Sequence, residues 1–125
     1  MKILLLAHNV PFPLHDGYNL HNYQYARRIG ARHELHLLAL GASGETALPA
    51  ELDGIFATTR LVPRRTPPRE PLPRRLRSAL DPAGLHDFDP AVFAALEAVL
   101  AAGDFDLVWV SGDKMLVYTA RIELP

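Results

Sequence analysis

Two short polar clusters in this 125-residue sequence hold the groups that could do chemistry. The first spans His8, Asn9, His15, Asp16, Gly17 and Tyr18; the second is Ser111-Gly112-Asp113. His8, at the end of the first apolar run, and His15, in the loop that follows, are candidates for a polar site role. The carboxylates of Asp16 and Asp113 can accept hydrogen bonds or carry charge. Gly17 stands just before a helical pattern, where backbone N–H groups can approach an anion closely. Each has a plainer reading as well: Gly17 as a loop glycine, His8 and His15 as structural histidines. No Ser–His–acid arrangement can be argued from spacing. His21 falls on a helix and reads as solvent-facing. His33 and His36 lack a carboxylate or cysteine at ligand spacing, so no zinc site is expected. Asp87-x-Asp89 has the look of an acidic metal motif, but Asp89 is better explained as a helix cap. No metal and no resident cofactor are expected.

A third feature is a run of charge. Between Arg60 and Arg77 lie seven arginines (60, 64, 65, 69, 74, 75 and 77) against one acid, Glu70, with Pro63, Pro67, Pro68, Pro71 and Pro73 interspersed. Residues 63–75 read as a connection within the domain, stiffened by proline. The alternative is a non-enzymatic module docking on an anionic surface through this segment. Lipid headgroups would gain about 1 kcal/mol per basic residue, with Arg64, Arg65, Arg74 and Arg75 as the peripheral membrane contact. Nucleic acid fits less well, because no aromatic side chain between 60 and 77 could stack on a base.

The elements that must position these groups follow from the apolar pattern. Residues 3–7 form a continuous apolar run, and 35–40 (LHLLAL) is a second short one; both suit strands buried on two faces. Between them, Pro11, Pro13 and Asp16-Gly17 mark a loop. Leu20, Tyr23, Ala26, Ile29 and Gly30 then share one face of a helix over 18–32. After a loop over 41–54, a weaker strand is expected at 59–62 and a short helix at 74–80. Asp89-Pro90 caps a helix whose stripe is Val92, Phe93, Leu96, Val99 and Leu100, stopped by Gly103. A strand at 106–110 and a helix at 114–122 complete the series. Strand–helix alternation with apolar strands predicts an α/β, Rossmann-like parallel sheet of about four strands in the order 3-2-1-4. Ligands in such sheets bind beyond the strand C-termini where the order reverses. Both polar clusters fall there.

Composition narrows the classes. The chain is 49% hydrophobic and 22% charged, with formal net charge -1 and no cysteine, which excludes disulfide scaffolds and thiol catalysis. Its first apolar run is too short for a secretion signal, and no run of about 18 apolar residues could span a membrane. A cytoplasmic chain is expected. The first loop has neither G-x-G-x-x-G nor G-x-x-x-x-G-K-[ST], so it is not a standard dinucleotide or P-loop site. A receiver domain would need acids where His8 and Asn9 stand.

The opening MKILLLAHNVPFPLHDGYNLHNYQYARRIGARHELHLLALG resembles the N-terminal domain of GT-B-type glycosyltransferases of the family 4-like group. The shared features are a strand ending in small-His-x, a proline-rich loop with Asp-Gly, a helix ending in Arg-His, and a second strand beginning Glu-Leu-His-Leu-Leu. FDLVWVSG resembles the family's fourth strand. The resemblance implies transfer of a sugar from a nucleotide-sugar donor to a sugar or lipid-linked acceptor, possible at the inner face of a membrane. It places Gly17 and Asp16 at the donor diphosphate. His8, Asn9, His15, Tyr18, Ser111, Gly112 and Asp113 line the cleft. Asp16-Gly17 replaces the family's frequent Gly-Gly, and Trp109 and Ser111 replace a frequent His-x-His. Residues 1–125 correspond to an incomplete acceptor-side domain, half of a two-domain fold. The isolated chain is therefore expected to be inactive and to self-associate through an uncovered edge.

Overall fold

A computed structural model describes residues 1–41, 47–65, 88–120 and 122. Strand β1 (Lys2–Ala7) leads through a loop into helix α1 (Gly17–Gly30) and strand β2 (Glu34–Gly41). A short 3-10 turn (Ala50–Leu52) precedes strand β3 (Thr58–Pro63). Helix α2 (Pro90–Ala102), strand β4 (Leu107–Ser111), a 3-10 turn (Asp113–Met115) and the one-turn helix α3 (Leu116–Thr119) follow. The helix expected at 74–80 lies outside the described residues, as do Asp87, Arg69, Arg74, Arg75 and Arg77.

The four strands form one parallel sheet in the order β3-β2-β1-β4. This is the Rossmann-like α/β architecture that the apolar runs predict. Ile3 pairs with Leu35 on one side and Leu107 on the other, and Ala7 with Ala39 and Ser111. Alternate residues serve opposite faces, as the two-residue period of a strand requires. Ile3, Leu5, Ala7, Leu35, Leu37 and Ala39 pack with Ala26 of α1. Leu4, Leu6, Leu38 and Val62 pack with Val92, Ala95 and Leu96 of α2, and with Met115 and Tyr118. Because both faces are covered, most positions of β1 and β2 are apolar, with the buried His36 the exception inside β2, which is why they read as runs.

Two expectations change. The apolar stripe on α1 includes Leu20, yet Leu20 is 45% exposed while Asn19 and Asn22 are buried. The first turns of α1 cover a polar strand end rather than the core, so hydrogen bonding decides what is buried there. The expected helix over 114–122 is instead a 3-10 turn followed by four helical residues. Its anchor is Tyr118, buried against Phe88 and accepting a hydrogen bond from Asp89 N at 2.9 Å. Gly103 stops α2 as expected, in an extended conformation. A Cβ there would press on the Phe105 ring at 2.9 Å, so the glycine serves a close approach.

Candidate functional site

The sheet order reverses at β1: β2 and β3 build out on one side of it, and the chain then returns to place β4 on the other. The loops after β1 and β4 meet at this point. His8 N donates to Ser111 O at 3.3 Å, extending the ladder by one rung. The Tyr18 hydroxyl donates to the same Ser111 O at 2.8 Å and accepts from His8 N at 3.2 Å. One phenol from α1 therefore fastens both loops together. Gly112 follows at φ +97°, a region that side chains rarely adopt. A Cβ on it would lie 3.2 Å from His8 Cβ and 3.3 Å from the Tyr18 oxygen. His8, Tyr18, Ser111 and Gly112, expected to line one cleft, are in direct contact.

Beneath them lies a buried polar layer. Ser111 Oγ donates to Asn22 Oδ1 at 2.7 Å, and Asn19 Nδ2 donates to Pro13 O at 2.9 Å. Asn22 Nδ2 and Asn19 Oδ1 are buried with no hydrogen-bond partner among the described residues. Such groups carry a desolvation cost of about 1–3 kcal/mol each. Ser111 Oγ gives its proton to an amide oxygen, which cannot act as a base. The contact positions the loop rather than activating a nucleophile.

Asp16 caps α1, accepting from Asn19 N at 2.7 Å in an extended conformation. The first-turn N–H groups of Gly17 and Tyr18 have no acceptor within the helix. An added Cβ on Gly17 would meet nothing within 4 Å. The capping carboxylate takes one N–H away from any anion and repels it, so this helix start is weaker for phosphate than an uncharged one. His15 and Asp113 are exposed at the rim, and Asp113 Oδ1 accepts from Lys114 N at 2.8 Å.

Arg64 is the residue that reading the sequence did not bring to this mouth. Its Nη2 donates to His8 O at 3.0 Å and to Asn9 Oδ1. Arg65, next along the chain, turns instead toward Asp89 at the start of α2, with Nε 3.8 Å from Oδ2. No local pattern in the sequence separates these two arginines, because their roles depend on β3 lying two strands away from β1. Asn19 and Asn22 were legible in principle: two asparagines three apart on the buried side of a helix imply polar partners.

His36, read only as lacking zinc ligands, lies toward the opposite end of the sheet. It is buried between Thr58 Oγ1 (2.6 Å from Nδ1) and Glu34 Oε1 (2.9 Å from Nε2), with its ring edge-on to Phe105. Among the described residues no three His, Asp or Glu side chains gather closely enough to hold a metal ion. A groove of about 550 Å³ lies between β3 and the segment before it, lined by Leu48, Asp53, Arg60 and Leu61 among others. None of the mouth residues lines it. No helix among the described residues is long and apolar enough to cross a membrane. Comparison of the chain with models of known families, with curated proteins and with solved structures found no match in any of the three.

Proposed function

We propose that this chain is the acceptor-side lobe of a glycosyltransferase that moves a sugar from a nucleotide-sugar donor. The observation that carries the reading is Gly17, which opens α1 where the strand order reverses and has free space where a side chain would stand. The Gly17 and Tyr18 amides are the groups that a diphosphate would meet there. The resemblance of residues 1–41 to family 4-like enzymes supplies the substrate class.

Magnitude assigns the lobe a partial role. A helix N-terminus contributes roughly 0.3–1 kcal/mol, and up to about 2 in a good site. Micromolar binding needs about 8 kcal/mol. The mouth steers and orients; a second surface must grip the nucleotide. Because catalysis requires donor and acceptor fixed together, the purified chain should transfer no sugar. With a lipid-linked acceptor, the reaction belongs at the cytoplasmic face of a membrane.

The test is a titration of the isotopically labelled chain with uridine diphosphate glucose, following backbone amides by NMR. Weak, millimolar-range shifts should centre on Gly17 and Tyr18 and vanish in Gly17→Ala. That substitution fills open space and should leave stability within about 0.5 kcal/mol. Shifts absent from these amides, or undiminished in the variant, overturn the reading. Micromolar capture by the chain alone removes the need for a second surface.

A further inference from the structure

We infer that Arg64 is the anion-binding residue of the mouth and holds a phosphoryl group of the acceptor. The word acceptor rests on the transferase reading, whereas the anion site rests on Arg64 itself. Arg64 follows the last residue of β3, and its backbone N–H still donates to Gly41 O at 3.1 Å, continuing the ladder. From there the side chain reaches past β2 to the end of β1, where Nη2 makes both its hydrogen bonds.

Both acceptors, the His8 carbonyl and the Asn9 amide oxygen, are neutral. Among the described residues no carboxylate lies within 4 Å of this guanidinium, while Arg65 beside it has Asp89. Among the described residues, the positive charge is thus positioned by two neutral oxygens and met by no carboxylate. Nε and Nη1 keep their hydrogens for a further acceptor, since a guanidinium carries five donors and two are spent. A planar cation already held by two bonds loses little freedom when an anion arrives. Charge-assisted bonds to phosphate are roughly twice as strong as neutral ones. The same His8 whose N–H is held by Tyr18 has its carbonyl held by Arg64. An anion on Arg64 is thus bound against the residue that joins the two loops.

A structural staple between β3 and β1 would use the same two hydrogen bonds, so the experiment must read ligand binding. The labelled full chain is titrated with glucose 6-phosphate, and with glucose as the uncharged control, at matched ionic strength. Saturable shifts at His8 and Asn9 are expected with the phosphorylated sugar only. Arg64→Gln should weaken them at least about tenfold, Arg64→Lys less, and Arg65→Gln not at all. A second arm uses phosphatidylcholine vesicles with and without phosphatidylinositol. Retention on the anionic vesicles alone, lost in Arg64→Gln, assigns the phosphate to a lipid headgroup and supports the proposal. No binding in either arm, or binding undiminished in Arg64→Gln, overturns it. The Gly17 and Tyr18 response to uridine diphosphate glucose is read on the same samples. Its loss with phosphate binding intact would count against the transferase reading while leaving the Arg64 site standing.

Discussion

At the scale of single residues, the mouth depends on one hydroxyl and one glycine. Tyr18→Phe removes the donor to Ser111 O and the acceptor for His8 N while leaving the ring in place. A net loss of about 1 kcal/mol is expected by urea unfolding. The larger change should be faster amide exchange at His8 and Gly112, since the loops lose their shared clasp. Gly112→Ala should cost more, about 1–3 kcal/mol, because a positive φ is joined to a tight approach to His8 and Tyr18. Gly17→Ala, a loop-to-helix glycine of the same outward type, should be close to neutral. The sequence offers no means of ranking these two glycines: each stands beside an aspartate in a turn. Only the neighbours brought in from the other strand make one of them obligatory. An equal cost for both substitutions would mean that the two loops are not clasped as described.

The same contrast holds for whole elements. The strands β1 and β2 were legible because burial on two faces favours short apolar runs bounded by polar residues. Helix α2 was legible from Asp89-Pro90, whose carboxylate does accept from Ala91 N at 2.8 Å. Helix α1 was located correctly but its inner face was misjudged. Hydropathy ranks Leu20 above Asn19 and Asn22, whereas the residues beneath them are Ser111 at the end of β4 and the Pro13 carbonyl in the loop after β1. At the other end of α1, Gly30 lies against the loop before β3. An added Cβ there would collide with the Ile55 carbonyl oxygen. In an ordinary helix, replacing glycine by alanine gains about 0.5–1 kcal/mol. Gly30→Ala should instead destabilise by about 1–3 kcal/mol, as overpacked sites do. The sign alone decides the matter, and thermal unfolding of the variant reads it. A raised midpoint would show that α1 is free to move off the loop.

For the molecule as a whole, the two edges of the sheet are unlike. The β3 edge carries Thr58, Thr59 and Arg60, all exposed, and ends in Pro63, which blunts pairing by charge and by a missing donor. The β4 edge reads Leu-Val-Trp-Val-Ser, and among the described residues no strand pairs with its outer side. Leu107 is 44% exposed there, and Trp109 is partly buried with Tyr25 edge-on to it at 6.2 Å. Unpaired backbone groups beside apolar side chains form a template for another strand. A second copy offers the same edge, and two such edges can pair antiparallel about a two-fold axis. Sedimentation velocity over a range of concentrations should therefore show a reversible dimer. Leu107→Lys should shift it toward monomer without a large cost in stability, since nearly half of that side chain already faces solvent. Two lysines would then have to be accommodated in one small interface, where desolvating a charge is costly. A chain that sediments as a monomer at every concentration would show the β4 edge to be protected in solution. Dimers that persist unchanged in Leu107→Lys would move the contact elsewhere, with the aromatic patch of His21 and Tyr25 on α1 as the next surface to vary.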